Sequence, residues 1–224
     1  LLSPPKPFAR QGRCNLEKEP VLYVADNPSI LLNECHIDEG QRFVILQFNH
    51  LNGVTQDISS TCLGIEFTYL FPDIPEIKQM EQARIECFGP EYSKVKEIEK
   101  LLNKSFVRDD DPSGLTYRLT SHICNYRLRS PNLDAIFYPS IAANGNGHNY
   151  AMKPGVIDKA YRPVKAGLYE LMQDGKVNQL DGAKIRSDQT IEWGSNDVID
   201  SPIPTGVRQV DPNDPQIHVA PWKQ

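Results

Sequence analysis

The chain has 224 residues, 39% hydrophobic and 24% charged, which is the balance of a folded protein with one sizeable core and excludes a disordered chain. A formal charge of -5 and a pI near 5.6 argue against direct binding to nucleic acid or an anionic membrane, and favour a small molecule or a protein as partner. Five scattered cysteines without CxxC spacing, Cys14, Cys35, Cys62, Cys87 and Cys124, argue against a zinc framework and for reduced thiols in a cytoplasmic setting.

The start at Leu1 in place of a methionine leads us to expect residues upstream, and neither a basic-then-apolar leader nor an apolar run of about 18 residues occurs. Residues 1–7 hold three prolines and are expected to be an extended lead-in. In residues 8–15, FARQGRCN, Arg10 and Arg13 flank Gly12. Guanidinium forks on a glycine-bent loop suit phosphate oxygens, whereas the plain alternative is a solvated surface loop. Residues 21–25, VLYVA, predict a buried strand, followed by a helix capped by Asp26 or Asn27 with Pro28 in its first turn. Glu34 falls near the end of that helix, where a carboxylate is disfavoured by about 0.3–1 kcal/mol. It is either a solvated helix-end glutamate or a functional one. Residues 42–49, RFVILQFN, predict a strand in the same sheet. Residues 51–70 stay undecided: Asn52-Gly53 signals a turn, and GIEFTYL fits a short strand or a helix start.

Residues 77–88 carry apolar positions at 77, 80, 85 and 88, a helix that stops at Gly89-Pro90. Residues 92–106 form an amphipathic helix with Val95, Ile98, Leu101 and Leu102 on its inward face. The loop 108–114, RDDDPSG, offers Asp111 or Ser113 as cap for a helix over 115–128, with Leu115, Leu119, His122, Ile123 and Tyr126 at core spacing. His122 thus packs beside the core in preference to binding a metal. Residues 135–138, AIFY, are a buried strand that runs into Pro139-Ser140 and the polar loop IAANGNGHN, a junction where sheets present binding groups. Residues 150–152 supply a partner strand. Beyond Pro154, alternation broken at Asp174-Gly175 and Asp181-Gly182 predicts a β-meander. Residues 195–224 are an extended proline-rich arm in which Trp222 is either an anchor or simply disordered.

Taken in order, Gly12-Arg13-Cys14-Asn15, Val21-Leu22-Tyr23, Glu34 in LLNE, and Ile136-Phe137-Tyr138-Pro139-Ser140 followed by Gly147-His148-Asn149 resemble the RES-domain family, named for an arginine, a glutamate and a serine. The resemblance spans residues 8–153 and includes the helix with Tyr117 and Ser121. It implies an α+β fold like that of ADP-ribosyltransferases, a compact mixed sheet with flanking helices. It also implies an activity like that of NAD-consuming toxins of bacterial toxin–antitoxin pairs, by hydrolysis, phosphorolysis or transfer to a protein. Position by position, Arg13 matches the motif arginine, Tyr23 the tyrosine, Glu34 the glutamate and Ser140 the serine, with Asn149 at a further family position. The expected organisation is a RES-like NAD-binding domain over 1–153, a β-meander extension of the same domain over 154–194, and the tail over 195–224.

The chemistry suits these residue types. Cleaving the nicotinamide–ribose bond builds positive charge on the ribose, which the Glu34 carboxylate would stabilise. Arg13, helped by Arg10, would hold the pyrophosphate. Tyr23 would stack on nicotinamide or bond a ribose hydroxyl, unless it is a strand tyrosine half in the core. Ser140 would position a phosphate or the nicotinamide-side ribose, and Asn149 would join the substrate contacts. NAD is here a substrate and not a cofactor, and no metal is expected. An antitoxin protein and a second copy of the chain are the partners implied, with no membrane and no direct nucleic acid. ADP-ribosyl transfer to a protein and a catalytically silent binding module are the alternatives.

Overall fold

The computed structural model describes residues 3–25, 28–50, 58–64, 73, 75–107, 114–140, 147–188 and 190–195. It is a mixed α+β chain with two four-stranded sheets and several helices. In chain order the elements are β1 (Leu22–Ala25), α1 (Pro28–Glu34), β2 (Arg42–His50), β3 (Ser60–Cys62), α2 (Pro75–Phe88), α3 (Tyr92–Phe106), α4 (Leu115–Leu128), β4 (Ala135–Pro139), β5 (His148–Met152), α5 (Val156–Ala160), β6 (Tyr161–Leu171), β7 (Val177–Ile185) and β8 (Ile191–Ser195). Among the described residues no helix is long and apolar enough to cross a membrane.

Sheet one has the order β1-β5-β4-β3, with β3 parallel to β4 and the other pairs antiparallel. All five residues of β4 are buried, which explains its unbroken apolar run: an inner strand covered on both faces has no solvent side to alternate with. Residues Ile136, Tyr138 and Ala151 meet Cys14, Leu63, Phe106 and Cys124 in one cluster, while Ala135 and Met152 on the opposite face meet Val156, Leu22, Phe48 and Tyr161 in another. The first face is therefore covered by the N-terminal loop and helices α3 and α4.

Strand β2 departs from expectation. It pairs with β6 from Arg42↔Glu170 to His50↔Tyr161, in a second, wholly antiparallel sheet of order β2-β6-β7-β8. A nine-residue strand finds more ladder on the eleven-residue β6 than on the four-residue edge β1. The meander of β6, β7 and β8 thus shares a sheet with a strand from the first fifty residues. Asp174-Gly175 turns the chain, but Asp181-Gly182 lies inside β7. There the Asp181 carboxylate accepts from the Gly182 and Gly194 amides at 2.8 and 3.1 Å, pinning a register shift in place of a break. Lys6–Phe8, at the end of the lead-in expected to be extended, form a short 3-10 turn, and α5 was not anticipated.

The helix limits at 92–106 and 115–128 are those predicted. Their faces do not. Ile98 and Leu101 of α3 are 58% and 64% exposed, and Leu115, Leu119 and Tyr126 of α4 also point outward. Helix α4 buries Thr120, Ser121 and Cys124 instead, because small side chains let the N-terminal loop approach. His122 is exposed, with Nδ1 2.6 Å from the Arg118 carbonyl of its own helix. The α4 cap position is taken by Gly114 in the left-handed region, φ 66°. Helix α2 meets α3 through charge: Lys96 lies 3.4 Å from Glu81, and Arg84 also pairs with Glu99, leaving Met80, Ile85 and Phe88 exposed. Asp26, Asn27, Asn52-Gly53, the strand-or-helix stretch after Gly64, Asp111, Ser113, residues 141–146 and the arm beyond Ser195 lie outside the described residues.

Phe106, the last residue of α3, is fully buried against Tyr138 with ring centroids 6.2 Å apart. Replacing it with alanine is expected to cost about 3–5 kcal/mol, read as a lower urea midpoint. A loss below about 1 kcal/mol would mean that this cluster is not the core.

Candidate functional site

Strand alternation places Tyr138, Ser140 and Asn149 on one face of sheet one, since Tyr138 and Asn149 are directly opposite on β4 and β5 and Ser140 follows Tyr138 by two. Tyr23 shares this face through its pairing with Ala151. Glu34, at the last position of α1, reaches the same face. Ser140 Oγ donates to Glu34 Oε1 at 2.7 Å, and Asn149 Nδ2 donates to the same oxygen at 2.6 Å. Ser140 is fully buried and Asn149 is 5% exposed, while Glu34 is half-buried. No described residue bonds Glu34 Oε2. The carboxylate is thus held through one oxygen by two side chains. Helix α1 is held in turn by Leu31, which packs on Ile45 and Tyr169 of sheet two.

The arginine arrives on a loop closed by its own side chains. Gly12 N donates to Asn15 O at 3.1 Å, the Tyr23 hydroxyl donates to Asn15 Oδ1 at 2.9 Å, and Cys14 N donates to the Tyr23 oxygen at 2.8 Å. Asn15 Nδ2 donates to the carbonyls of Arg10 and Leu16. Gly12 is required for close approach: a Cβ there would stand 2.7 Å from Asn15 Oδ1 and 2.9 Å from the Tyr23 oxygen. Arg13 Nη1 donates to the Phe106 carbonyl at 3.1 Å, and its guanidinium lies 4.9 Å from the Tyr117 ring centre. Cys124 Sγ donates to Cys14 Sγ at 2.7 Å, both as free thiols. Gln11 Nε2 holds the buried Ser121 Oγ at 2.9 Å.

The predicted residues therefore divide. Glu34, Ser140 and Asn149 are in direct contact. Arg13 and Tyr23 border the same face from the N-terminal loop and β1. Arg10 stands apart, exposed, with only its carbonyl engaged in this knot. Tyr23, on the edge strand β1, is 40% exposed, as the half-in-core alternative had it. Its hydroxyl, by contrast, is enclosed and committed to the loop, leaving the ring alone for a ligand. Ser140 is enclosed too, so it holds Glu34 and does not offer its hydroxyl to solvent. Tyr138, Tyr117 and Asn15, which pack on or bond to this cluster, were not among the candidates the sequence offered. The signal for Tyr138 was its spacing of two from Ser140, which in a strand means a shared face.

Electrostatics bind these groups into one cluster. Burial raises the Tyr138 phenol well above its ordinary pKa, Cys14, Tyr23 and Glu34 raise it further, and Arg13 opposes them. Burial likewise raises Tyr23 and, with the hydrogen bond to Cys14, the Cys124 thiol. Burial and the charge of Glu34 raise the neighbouring Cys35. Among the described residues, cavities lie elsewhere, including an open depression of about 570 Å³ at the end of α4, lined by Tyr126, Arg127 and Arg129, and one of about 130 Å³ beside Cys14, Asn125 and Lys153. Neither converges buried polar groups on a single point as the Glu34 cluster does, so the cluster carries the chemical argument.

Gly12→Ala is expected to break the loop knot and lower stability by roughly 1–3 kcal/mol, with a urea midpoint unchanged from wild type as the contrary result. The two phenols also set a pH dependence. Held in the fold above the ordinary value of 10.0, they bind protons more tightly than in the unfolded chain. Their contribution is fully present below pH about 10 and is lost as pH rises through the folded values. Urea unfolding should show falling stability above pH about 10; stability that rises there would contradict the burial of these hydroxyls.

No protein-family model, no curated protein and no solved structure matches this chain, so its function is argued from residues and geometry.

Proposed function

We propose that the chain is an NAD-consuming enzyme of the RES type, with an ADP-ribosyltransferase-like fold, that cleaves the bond between nicotinamide and ribose. The observation that carries the reading is the Glu34 carboxylate, held at Oε1 by both Ser140 and Asn149 on a sheet face bordered by Arg13.

In this reading the bond's electron pair leaves with nicotinamide, which departs neutral, and positive charge develops on the ribose. A carboxylate already oriented, and needing no rearrangement as that charge appears, stabilises the transition state. Arg13 takes the pyrophosphate, with its plane set by Tyr117 and the Phe106 carbonyl. Ser140 and Asn149 act as positioning residues for Glu34. The exposed ring face of Tyr23 offers a stacking surface for the base. Water, phosphate or a protein side chain then attacks the ribose carbon, and which one reaches it distinguishes hydrolase, phosphorylase and transferase. An enzyme that destroys NAD in the cytoplasm would need restraint, which an antitoxin over the site entrance would supply.

The test is to incubate the protein with NAD, with and without phosphate and a cell extract, and to quantify nicotinamide and the ribosyl product. Wild type should release nicotinamide, and Glu34→Gln should slow release by roughly 10²–10³-fold with little change in thermal midpoint. NAD left intact in every arm, or equal turnover by Glu34→Gln, would overturn the reading.

A further inference from the structure

Cys14 and Cys124 stand 110 residues apart in the chain and in direct contact in the fold, Cys124 Sγ donating to Cys14 Sγ at 2.7 Å. Both are free thiols and both are fully buried, whereas Cys35 and Cys87 are exposed and Cys62 is half-buried. Cys14 belongs to the loop that carries Arg13, and its amide is bonded to the Tyr23 hydroxyl. Cys124 lies on the inner face of α4 beside Thr120 and Ser121. The two sulfurs are thus a point where the loop meets the helix, and a disulfide of about 2.05 Å needs them to close by less than about 1 Å. A way in is offered on the Cys14 side. The cavity of about 130 Å³ is lined by Cys14 together with Glu19 and Arg129, whose side chains are open to solvent, and Cys124 stands behind it.

We propose that Cys14 and Cys124 are a redox-active pair, oxidised to an intramolecular disulfide by a small organic disulfide of the glutathione class. The Cys14 thiolate attacks one sulfur of the reagent, forming a mixed disulfide and releasing one thiolate; the Cys124 thiolate then attacks the Cys14 sulfur and releases the second. The two protein thiols lose two protons and two electrons in all, and the reagent's disulfide is reduced to two thiols. Burial and the hydrogen bond to Cys14 raise the Cys124 thiol and keep its thiolate scarce, so closure is slow at neutral pH and quickens as pH rises. In a reducing cytoplasm the dithiol stands, and an oxidising shift closes it. The bond spans 110 residues and so restricts the unfolded chain. It staples the Arg13 loop to α4, whatever anion that loop binds.

The test treats the folded full chain with oxidised glutathione at pH about 7 and about 9, alkylates the remaining thiols after unfolding, and maps the unreduced tryptic peptides by mass spectrometry. The expected result is a peptide pair joined through Cys14 and Cys124, formed faster at the higher pH and lost on reduction with dithiothreitol. The oxidised protein should melt roughly 5–15 °C above the reduced one, and Cys124→Ala should stop at the mixed disulfide on Cys14. Recovery of Cys14 and Cys124 in alkylated form would overturn the proposal. So would their linkage to Cys35, Cys62 or Cys87, or a thermal midpoint that does not rise on oxidation.

Discussion

Two donors on one carboxylate oxygen tie this fold together. Ser140, just past the end of β4, and Asn149 on β5 are buried at the inner strands of sheet one, and each needs an acceptor that the sheet ladder does not provide. Glu34 Oε1 serves both. A carboxylate is an acceptor at every lone pair, so it can take two donors on one oxygen and keep the other free. Losing it would leave two buried groups unpaired, at about 1–3 kcal/mol each. The contact also fixes α1, which otherwise rests on sheet two through Leu31. A helix end that disfavours anions is thereby offset by two hydrogen bonds.

The N-terminal loop is a second, independent device. Gly12, Asn15 and Tyr23 close it through short contacts that exclude a Cβ at Gly12. Cys14 and Cys124 join it to α4. Arg13 leaves this knot with its guanidinium already braced by the Phe106 carbonyl and the Tyr117 ring. Both devices border one face of sheet one, where Tyr138 packs on Phe106 and lies opposite Asn149 across the β4–β5 pair.

Local signals were legible in the sequence and long-range ones were not. Gly89-Pro90, the apolar run of β4 and the Asp174-Gly175 turn read correctly because each acts within a few residues. The buried face of α4 did not, because periodicity ranks Leu115, Leu119 and Tyr126 above Thr120, Ser121 and Cys124; only the nearby Cys14 loop makes the small face the inner one. The partner of β2 was hidden for the same reason: strand pairing 111 to 128 residues apart leaves no mark in either segment. At the site, the ordered motifs brought out Glu34, Ser140 and Asn149, which touch. They did not reveal that Ser140 is enclosed, that the Tyr23 hydroxyl is spent on its own loop, or that Arg10 is exposed with only its carbonyl in the knot.

The central claim is that Ser140 acts through Glu34 and not on the substrate directly. A double-mutant cycle on NAD turnover tests it: wild type, Ser140→Ala, Glu34→Gln and both together. If Ser140 works by orienting the carboxylate, its removal lowers kcat in the wild-type background and changes nothing further once Glu34 is glutamine. Independent, multiplicative losses would contradict the account, because they would place the serine hydroxyl on the substrate.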